Sequence, residues 1–534
     1  MTVNSSLKRN VFGRGTLILL VCFFAVSVIC PLAAMLVNLG KADFPALVSD
    51  RGILTAALNS LLVSSAATVI SIAVGGAAAW CVTRTGVKLK GLFGVLILLP
   101  MLIPSISHGM GLIILFGSNG ILTRLFGLSR GIYGFAGIVA GSVMYAFPVA
   151  YIMISDILRY EDSSPYEAAE VLGIPKFRRF VSITLPYLKK PMISVIFAVF
   201  TMIVTDYGVP LMIGGMYKTL PVLMYEEVIG RQDFVKGSFF GLILLIPAAA
   251  AFLIDLFCKN DRKSGNVRHR FEPGRKKGRD IAAFIILAVI SVCVVYPIVS
   301  FIAITFAERY PSDMGFTLRN IENALRKGAG GYLLNSVLTA FLTAVIGTAV
   351  AFICACFTAR GKIRGGKFLH LMSVLSLAVP GVVLGLSYVL FFKGSFIYGT
   401  YAILVLANTV HFFSSPYLMI YNSIGKLNPN LEAVASSLGI GRFRLIRDVI
   451  LPQTKATLAE MFSYFFVNSM MTISAVAFLA NIKTKPVSLM IPQFEAQMLL
   501  EASAFVSLLI LSANLLMKGA VLIIKNHGRK RKDA

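Results

Sequence analysis

Charged residues are scarce in this chain of 534 residues. Asp, Glu, Lys and Arg make up 14% of it, whereas hydrophobic residues make up 57%. A soluble globular chain carries about 25% charged residues. This deficit, together with a mean hydropathy of +0.81, excludes an ordinary soluble protein and predicts an integral membrane protein.

Acidic residues are scarcer still, with 24 Asp and Glu against 50 Lys and Arg and a net charge of +26. Such an excess can indicate nucleic-acid binding. Here, however, the basic residues stand in short clusters between apolar runs, which is typical of cytoplasmic membrane loops. We therefore expect membrane lipid, and no nucleic acid, as the partner of this charge.

Several chemical signatures are also missing. The seven cysteines form no CxxC pair, so neither a disulfide framework nor a zinc site is indicated. The sequence contains no HExxH motif and no GxxxxGK[ST] phosphate loop. We therefore predict no catalytic residue, no metal ligand and no cofactor, and an intramembrane enzyme is disfavoured.

Long apolar runs are what the chain has instead. A helix needs about 20 apolar residues to cross the hydrocarbon core of a bilayer. Twelve such runs predict an all-α membrane protein with about 12 transmembrane helices, at 17–38, 57–82, 92–116, 134–158, 191–213, 238–258, 281–306, 333–357, 368–392, 399–423, 456–480 and 502–524. The first run is longer than a signal-peptide core and is interpreted as a retained helix.

The two halves of the chain repeat each other. At one offset, Asn59-Ser60, Arg84 and Pro104 match Asn335-Ser336, Arg360 and Pro380. Six spans per copy give both copies the same orientation, related by an axis along the membrane normal, with the pathway between them. We predict a first repeat at 1–258, a basic cytoplasmic linker at 259–280 and a second repeat at 281–534.

The basic clusters set the orientation. An even number of spans puts both termini on one side of the membrane, and most Lys and Arg lie in the loops of that side. Positive charge stays on the cytoplasmic side. We therefore expect both termini to be cytoplasmic.

Matching segments stand between spans four and five and between spans ten and eleven. They read SSPYEAAEVLGIPKFRRFVSITLP (163–186) and LNPNLEAVASSLGIGRFRLIRDVILP (427–452). In the first, Ser164 as N-cap, Pro165 at the first helical position and Glu167 predict a short helix with a capping box. Asn428-Pro429 is expected to start the second helix. Gly173 and Gly439 are expected to end the two helices, each followed by an amphipathic helix along the membrane surface.

These segments resemble the EAA loops of the binding-protein-dependent ABC importer permeases. The resemblance covers nearly the whole chain. It implies a permease of a bacterial inner membrane that inserts a coupling helix into each of two ATPase subunits, which bind the ATP. It also implies an extracytoplasmic substrate-binding protein as a further partner.

The family's functional positions can be placed by this resemblance. They are Glu167, Ala168, Ala169 and Gly173 in the first loop, and Ala433, where the family has Glu, and Gly439 in the second. Glu167 fixes the helix as a cap, contacts the ATPase, or does both. Glu432 stands one residue early, which is about 100° around a helix, so docking at the second loop is expected to rely on shape and on Arg442 and Arg444.

Polar residues inside the spans are candidates for the substrate pathway. Asp206 and Tyr207 lie in span five, where Asp206-Tyr207-Gly208 is expected to interrupt the helix, and Asn468 and Thr472 lie in span eleven. The alternative for Asp206 is a cap at the outer end of a helix. Three further polar residues are interpreted as packing contacts between helices: His108, Asn408 and His411.

The segments DYGVP (206–210) and MTISAVAFL (471–479) look like those of the ferric-iron type of permease. The expected substrate is therefore iron(III), with 2-aminoethylphosphonate and thiamine, which related permeases carry, as alternatives. An ion-coupled secondary transporter also has six plus six spans. Its usual Gly-Asp-Arg-Gly motif is absent, because the corresponding loops, TRTGVKLKG and ARGKIRGGK, lack the Asp.

Overall fold

A computed structural model describes residues 15–127, 131–258, 274, 276–360 and 365–530. Most of the linker predicted at 259–280 lies outside these residues. The described part is almost entirely helical, which confirms the predicted all-α fold class.

The first half contains nine principal helices and three shorter ones. The principal helices are α1 (Gly15–Lys41), α2 (Arg51–Arg84), α3 (Lys90–Leu102), α4 (Ser105–Phe116), α5 (Phe135–Arg159), α6 (Ser164–Val171), α7 (Lys176–Val204), α8 (Gly208–Ile213) and α9 (Phe234–Cys258). The shorter ones are Phe44–Ser49, Ile121–Leu125 and Leu220–Tyr225. α2 is the longest because it contains no proline and because Asp50 caps its first turn, accepting from the Gly52 N–H at 2.7 Å.

The second half has a similar order of elements. Its principal helices are α10 (Lys277–Thr305), α11 (Ala329–Thr358), α12 (Gly366–Ala378), α13 (Gly381–Phe392), α14 (Tyr401–His411), α15 (Ser414–Gly425), α16 (Leu431–Ser437), α17 (Leu451–Met471) and α18 (Leu500–Lys530). Shorter helices are Arg319–Arg326, Arg442–Leu445 and Met490–Ala496. After α10, strands β1 (Ala307–Arg309) and β2 (Asp313–Phe316) pair antiparallel, with Ala307 opposite Phe316.

Nine helices of the described part are long and apolar enough to cross a membrane, or eleven if each of two bent pairs is one span. The bent pairs are α12 with α13, at 108°, and α14 with α15, at 55°. The eleventh predicted run corresponds to α17, which has 21 residues but is too polar to be counted. Each of the twelve predicted runs therefore overlaps one helix or two successive helices.

Two of the predicted runs are interrupted or shorter than expected. α7 ends at Val204 and α8 begins at Gly208, so the interruption predicted at Asp206-Tyr207-Gly208 is confirmed. The helix predicted for 456–480 ends at Met471, because Thr472 adopts an extended conformation with ψ 137°. Apolar composition predicted helix there, but the backbone leaves the helix at the same place in both halves.

The first helix of each half packs against the other half. Tyr388 of α13 donates its hydroxyl to the Ser27 carbonyl of α1 at 2.7 Å. In the other direction, Phe284 of α10 packs edge-on against Phe93 of α3, with ring centroids 5.3 Å apart. The two halves are therefore interlocked through α1 and α10.

The helices end on two opposite faces of the molecule. The loop face carries α6 and α16, and the opposite face carries the connections from α8 to α9 and from 472 to α18. At the opposite face the repeated Asn-Ser pairs hold these connections in place. Four bonds join Asn59 Nδ2 to Lys218 O (2.9 Å), Leu220 N to Ser60 Oγ (2.8 Å), Asn335 Nδ2 to Lys483 O (2.9 Å) and Val487 N to Ser336 Oγ (2.8 Å).

Candidate functional site

The first loop helix, α6, begins one residue earlier than the sequence suggested. Ser163 rather than Ser164 is the N-cap residue, and it makes no side-chain cap bond to the backbone. Its hydroxyl instead donates to Glu167 Oε1 at 2.8 Å, while the Ser164 N–H is bound by the Asp162 carboxylate at 3.1 Å. The predicted capping box at Ser164 is therefore wrong, because Asp162 satisfies that N–H before the helix starts.

The second loop helix, α16, begins later than predicted. Its N-cap is Asn430, and its first residue is Leu431. Asn428 lies before the helix, where its side chain accepts from the Asn430 N–H at 2.9 Å and closes a local turn. Pro429 therefore lies in this turn and not in the first helical turn.

Both loop helices end as predicted, on a glycine in the left-handed conformation. Gly173 has φ +67° and Gly439 has φ +68°. In α6 the Gly173 N–H bonds the Glu170 carbonyl at 3.0 Å and the Ile174 N–H bonds the Ala169 carbonyl at 2.9 Å. This is a Schellman motif, and α16 repeats it with Gly439 and Ile440.

An arginine at the end of α2 holds the first loop helix. Arg84 is 4% exposed and contacts the Glu161 carboxylate, which also accepts the Tyr166 hydroxyl at 2.6 Å. Arg84 further donates to the Leu158 carbonyl at 3.1 Å. Burial raises the pKa of the Glu161 carboxyl, against the lowering effects of Tyr166 and Arg84. This contact ties α6 to the ends of α2 and α5.

Arg360, at the matching place after α11, holds the second loop helix with a different partner. Its Nη1 contacts both carboxylate oxygens of Glu432, at 2.9 and 2.8 Å, and its Nε donates to the Ile424 carbonyl at 3.3 Å. Glu432 stands as far before Gly439 as Tyr166 stands before Gly173. The glutamate that is one residue early therefore lies where α16 can bind its arginine.

Each loop helix buries one alanine and exposes most of its other residues. Ala169 is buried at 4% exposure, and Ala435, its counterpart, at 6%. Glu167, Ala168 and Ala433 are exposed. Around the terminating glycines lie exposed apolar side chains, which we call the apolar tip of each loop: Val171, Leu172 and Phe177 in the first, and Val434, Leu438 and Phe443 in the second.

The segments after the glycines do not form separate surface helices, as the sequence had suggested. Lys176–Val204 is one helix, and Arg442–Leu445 runs without a gap into α17. Pro186 and Pro452 would each leave a carbonyl one turn earlier without its N–H partner. A π-helical turn precedes each proline, at Phe180–Thr184 and Ile446–Ile450, so the helix accommodates the proline without breaking.

The basic residues of the second loop have different surroundings. Arg442 donates to the Cys356 carbonyl at 2.9 Å and lies over the Phe357 ring at 5.2 Å. Arg444 is 78% exposed and its Nε lies 3.4 Å from the Asp448 carboxylate. Arg442 is thus committed to holding the loop against α11, whereas Arg444 projects from it.

All four candidate pathway residues line one cavity between the halves. The cavity has a volume of about 80 Å³, and its lining includes Asp206, Tyr207, Asn468 and Thr472. The other lining residues are Ile103, Ser105, Tyr145, His411, Phe412, Met471, Ile473 and Ser474. Among the lining residues that the structure describes, Asp206 is the one carboxylate, and none is Lys or Arg.

Residues at matching places in the two halves line the cavity. Asp206 follows Gly173 by as many residues as Thr472 follows Gly439, and Tyr145 precedes Gly173 by as many as His411 precedes Gly439. The pairs line the same cavity from opposite sides. The first half thus contributes a carboxylate and a phenol where the second contributes a hydroxyl and an imidazole.

Asp206 also caps a helix, as the alternative interpretation held. Its Oδ2 accepts from the Val209 N–H at 3.0 Å, and the Gly208 N–H and Ser105 side chain bond the same carboxylate. On the other side of the cavity, His411 Nδ1 and Thr472 Oγ1 are buried without a hydrogen-bond partner in the described structure. Buried polar atoms of this kind call for a partner such as water or a ligand.

A serine and a glycine exchange places at the two helix breaks. A Cβ on Gly208 would overlap Ser105 Oγ, and a Cβ on Gly381 would overlap Ser474 Oγ. Ser105 and Gly381 each follow the proline of a break, and Gly208 and Ser474 occupy matching places after α7 and α17. The same tight contact therefore forms twice, with the hydroxyl on opposite partners.

Sequence reasoning missed the position of His411 in the cavity. His108 and Asn408 do pack between helices, the former 3.2 Å from the Pro100 carbonyl and the latter donating to Ser469 Oγ at 2.7 Å. His411 also packs between helices, against Gly381 of α13, and it lines the cavity as well. One signal of this position was available in the sequence: His411 precedes Gly439 by as many residues as Tyr145 precedes Gly173.

A protein-family model described as "Binding-protein-dependent transport system inner membrane component" matches the chain twice. The matches cover residues 68–304 and 347–529. Together they span both halves, which confirms the tandem duplication.

Individual relatives have related descriptions. The putative ferric transport system permease protein FbpB 1 of Haemophilus influenzae is 24% identical over 80% of this chain and 70% of its own length. The ferric transport system permease protein FbpB of Actinobacillus pleuropneumoniae is 24% identical over 80% of this chain and 65% of its own length. The molybdenum transport system permease protein ModB of Azotobacter vinelandii is 30% identical, over 32% of this chain and 78% of its own.

Proposed function

The chain belongs to the family of inner-membrane components of binding-protein-dependent transport systems, and from that premise we propose that it docks two ATPase subunits and conducts iron(III). It is a multi-pass membrane permease of the ABC-importer type. The proposal assigns the docking to the two loop helices and the conduction to the cavity between the halves. The observation that carries it is the convergence of four polar residues from both halves on that cavity.

The loop helices suit a docking role. Each presents an apolar tip, and apolar residues at the centre of an interface supply most of its binding energy. Each is also tied by an arginine to the end of a long helix, so that a displacement of the loop by a partner is passed to α2 or α11. Because the sequence contains no phosphate loop, the partner supplies ATP hydrolysis.

The two docking sites have the same shape but different chemistry. The first offers the exposed carboxylate of Glu167, whereas the second has Ala433 at that place and uses Glu432 to bind Arg360. An exposed arginine stands at the same place in both loops, Arg178 in the first and Arg444 in the second. Two copies of one ATPase would therefore meet the same cation at both loops, but the carboxylate of Glu167 at the first loop alone.

The opposite face suits a substrate-binding protein. Met216 and Ile482 stand at matching places on the connections held by the Asn-Ser pairs. They are 96% and 83% exposed. A pair of rigidly held apolar side chains related by the axis can contact the two lobes of one extracytoplasmic protein. This face is outside if the basic loop face and both termini are in the cytoplasm, as the charge distribution favours.

The lining of the cavity favours a cation. Asp206 supplies a carboxyl group, and the lining residues include no Lys or Arg to attract an oxyanion. The oxygen and nitrogen atoms of Tyr145, His411 and Thr472 surround the same space. No group of three or more His, Cys, Asp or Glu side chains in the described residues is arranged to chelate a metal, which suits a pathway that releases its ion.

Uptake by the complete transporter in liposomes tests the proposal. We expect ATP-dependent iron(III) uptake that Asp206→Asn reduces at least about tenfold, the effect of about 1.4 kcal/mol on the barrier. The Asn oxygen can still cap α8. Asp233→Asn is the matched control, because Asp233 caps α9 outside the cavity, and it should leave uptake unchanged.

Other results would contradict the proposal. Uptake driven by a proton or sodium gradient without an ATPase would assign the chain to the ion-coupled transporters. Uptake of 2-aminoethylphosphonate, thiamine or molybdate in preference to iron(III) would replace the substrate. Normal iron uptake by the Asp206→Asn variant would remove the cavity from the pathway.

A further inference from the structure

A second cleft opens on the outside of the first half, away from the cavity between the halves. It has a volume of about 870 Å³ and lies between α2, α5 and α7. Among its lining residues Lys189 is the one charged residue, and the remainder are apolar apart from the indole N–H of Trp80. Trp80 is 37% exposed and Phe180 is 39% exposed, so the cleft is open toward the surroundings of the helices.

A missing side chain creates the cleft. Gly76 lies on its α2 wall, and the matching residue of α11 is Phe352, which is buried at 8% exposure. The neighbouring glycine lets α2 lean on α5, since a Cβ on Gly75 would come within 2.8 Å of the Tyr151 nitrogen. In the second half the close approach is to α17 instead, because Gly347 lies under the Phe465 ring.

The surroundings identify the occupant. α2, α5 and α7 all have the length and composition of membrane-spanning helices, so the cleft faces lipid. Its volume lies in the range of ligand pockets, about 300–1,000 Å³. Trp is typical of the membrane–water interface, and basic residues between transmembrane helices bind anionic headgroups.

We propose that this cleft binds one anionic phospholipid, with an acyl chain over Gly76 and the phosphate at Lys189. Phe180, in the π-helical turn at the start of α7, forms part of the wall and packs edge-on against Trp80 at 5.8 Å. The lipid therefore supports the segment that leads from the first loop helix into α7. The second half, with Phe352 in place of Gly76, lacks the space for such a chain over α11.

The chain's one tryptophan makes the proposal testable by fluorescence. The full chain is placed in phosphatidylcholine vesicles that contain a low mole fraction of brominated phosphatidylglycerol or, separately, brominated phosphatidylcholine. Bromine quenches Trp80 on contact. We expect saturable quenching with about a fivefold preference for the anionic lipid, the effect of one lysine near a charged surface.

Three variants separate a binding site from random contact with lipid. Lys189→Gln should abolish the preference, whereas Lys455→Gln, at the matching place of the second half, should keep it. Gly76→Phe should lower quenching by both lipids. Gly76→Leu is the substitute if that variant does not fold, because a Cβ there has its nearest neighbour at 3.7 Å, on Ile154. Equal quenching by both lipids, or no effect of filling the cleft, would overturn the proposal.

Discussion

Arg360 contacts both carboxylate oxygens of Glu432, at 2.9 and 2.8 Å, and so fastens the second loop helix to the end of α11. Arg84 does the same for the first loop helix, but through Glu161, which precedes that helix. The sequence places Glu432 one residue out of register with Glu167. The structure gives the reason, because only from its actual place does Glu432 meet the arginine.

Replacing Glu432 should therefore loosen the second loop without unfolding the protein. The pair is part-buried, with Arg360 8% exposed and Glu432 40% exposed, so we expect Glu432→Gln to cost about 1 kcal/mol. That corresponds to about a fivefold loss of affinity for the ATPase. Hydrogen exchange of residues 427–440 and a binding titration would measure both effects.

A matched control comes from the opposite face. Glu322→Gln breaks the exposed pair with Arg326, whose members are 75% and 58% exposed, and should change neither measurement. If Glu432→Gln left hydrogen exchange unchanged but abolished ATPase binding, Glu432 would itself be a docking residue.

The glycines that end the loop helices should not tolerate a side chain. A Cβ on Gly173 or Gly439 would meet nothing within 4 Å, so the penalty of Gly→Ala is conformational. The left-handed conformation costs a residue with a Cβ about 1–2 kcal/mol. We expect both substitutions to shift the apolar tips and reduce ATPase binding about fivefold or more, with partial rescue by Asn.

Gly441→Ala controls for the loss of a loop glycine. Gly441 also has open space around its Cα, but its φ is −67°, so alanine fits without strain. ATPase binding by this variant should equal that of the parent chain. An equal loss at Gly439 and Gly441 would mean that any added methyl group on the loop interferes, and conformation would not be the cause.

Local signals in the sequence predicted much of this architecture. The apolar runs located the helices, Gly173 and Gly439 located the ends of the loops, and Asp206 located a break. Each of these depends on residues that are close in the sequence. The predicted start of α6 was wrong by one residue because Ser163 and Ser164 are adjacent and either can be the N-cap. Asp162 binds the Ser164 N–H, so Ser163 takes that position.

Contacts between distant residues could not be predicted in this way. The sequence of the repeats does not show that α1 packs against the second half and α10 against the first. A helix has the same composition whichever half it packs against. Arg360 and Glu432 are 72 residues apart. The cavity that His411 lines is completed by residues of the first half, which are distant in the sequence.

The serine–glycine contacts beside the cavity should respond to an exchange. Gly208→Ser alone would overlap Ser105 and bring its Cβ within 2.9 Å of the Ile106 nitrogen. Overpacking of this kind costs about 1–3 kcal/mol. The double variant Ser105→Gly, Gly208→Ser copies the arrangement of Gly381 and Ser474, and it should recover part of the loss.

A double-mutant cycle on thermal stability measures this coupling. Recovery should be incomplete, because the Ile106 backbone remains close to residue 208. Ser107→Gly is the control for losing a serine from the same turn. It removes a hydroxyl that lies 2.9 Å from Ser507 on the other side of α4, so it should not rescue Gly208→Ser. If the effects of Ser105→Gly and Gly208→Ser on thermal stability were additive, the two residues would not be in direct contact.

The opposite face should lose its partner when its two projecting side chains become charged. Met216→Asp and Ile482→Asp each place a carboxylate where the parent has a side chain 96% or 83% exposed. We expect little change in stability and about a tenfold loss of affinity for the substrate-binding protein, a typical effect of removing an interface anchor.

Phe396 is 94% exposed on the same face but lies outside the connections held by the Asn-Ser pairs, so Phe396→Asp should have no effect. Asn335→Ala tests whether the position of the Ile482 side chain matters. It removes one of the two donors to the Lys483 carbonyl, the other being the Tyr401 hydroxyl, and leaves the Ile482 side chain unchanged. If it weakens binding as Ile482→Asp does, rigid presentation of the side chain is what the partner requires. If Phe396→Asp reduces binding equally, the binding protein is repelled by any added negative charge on this face.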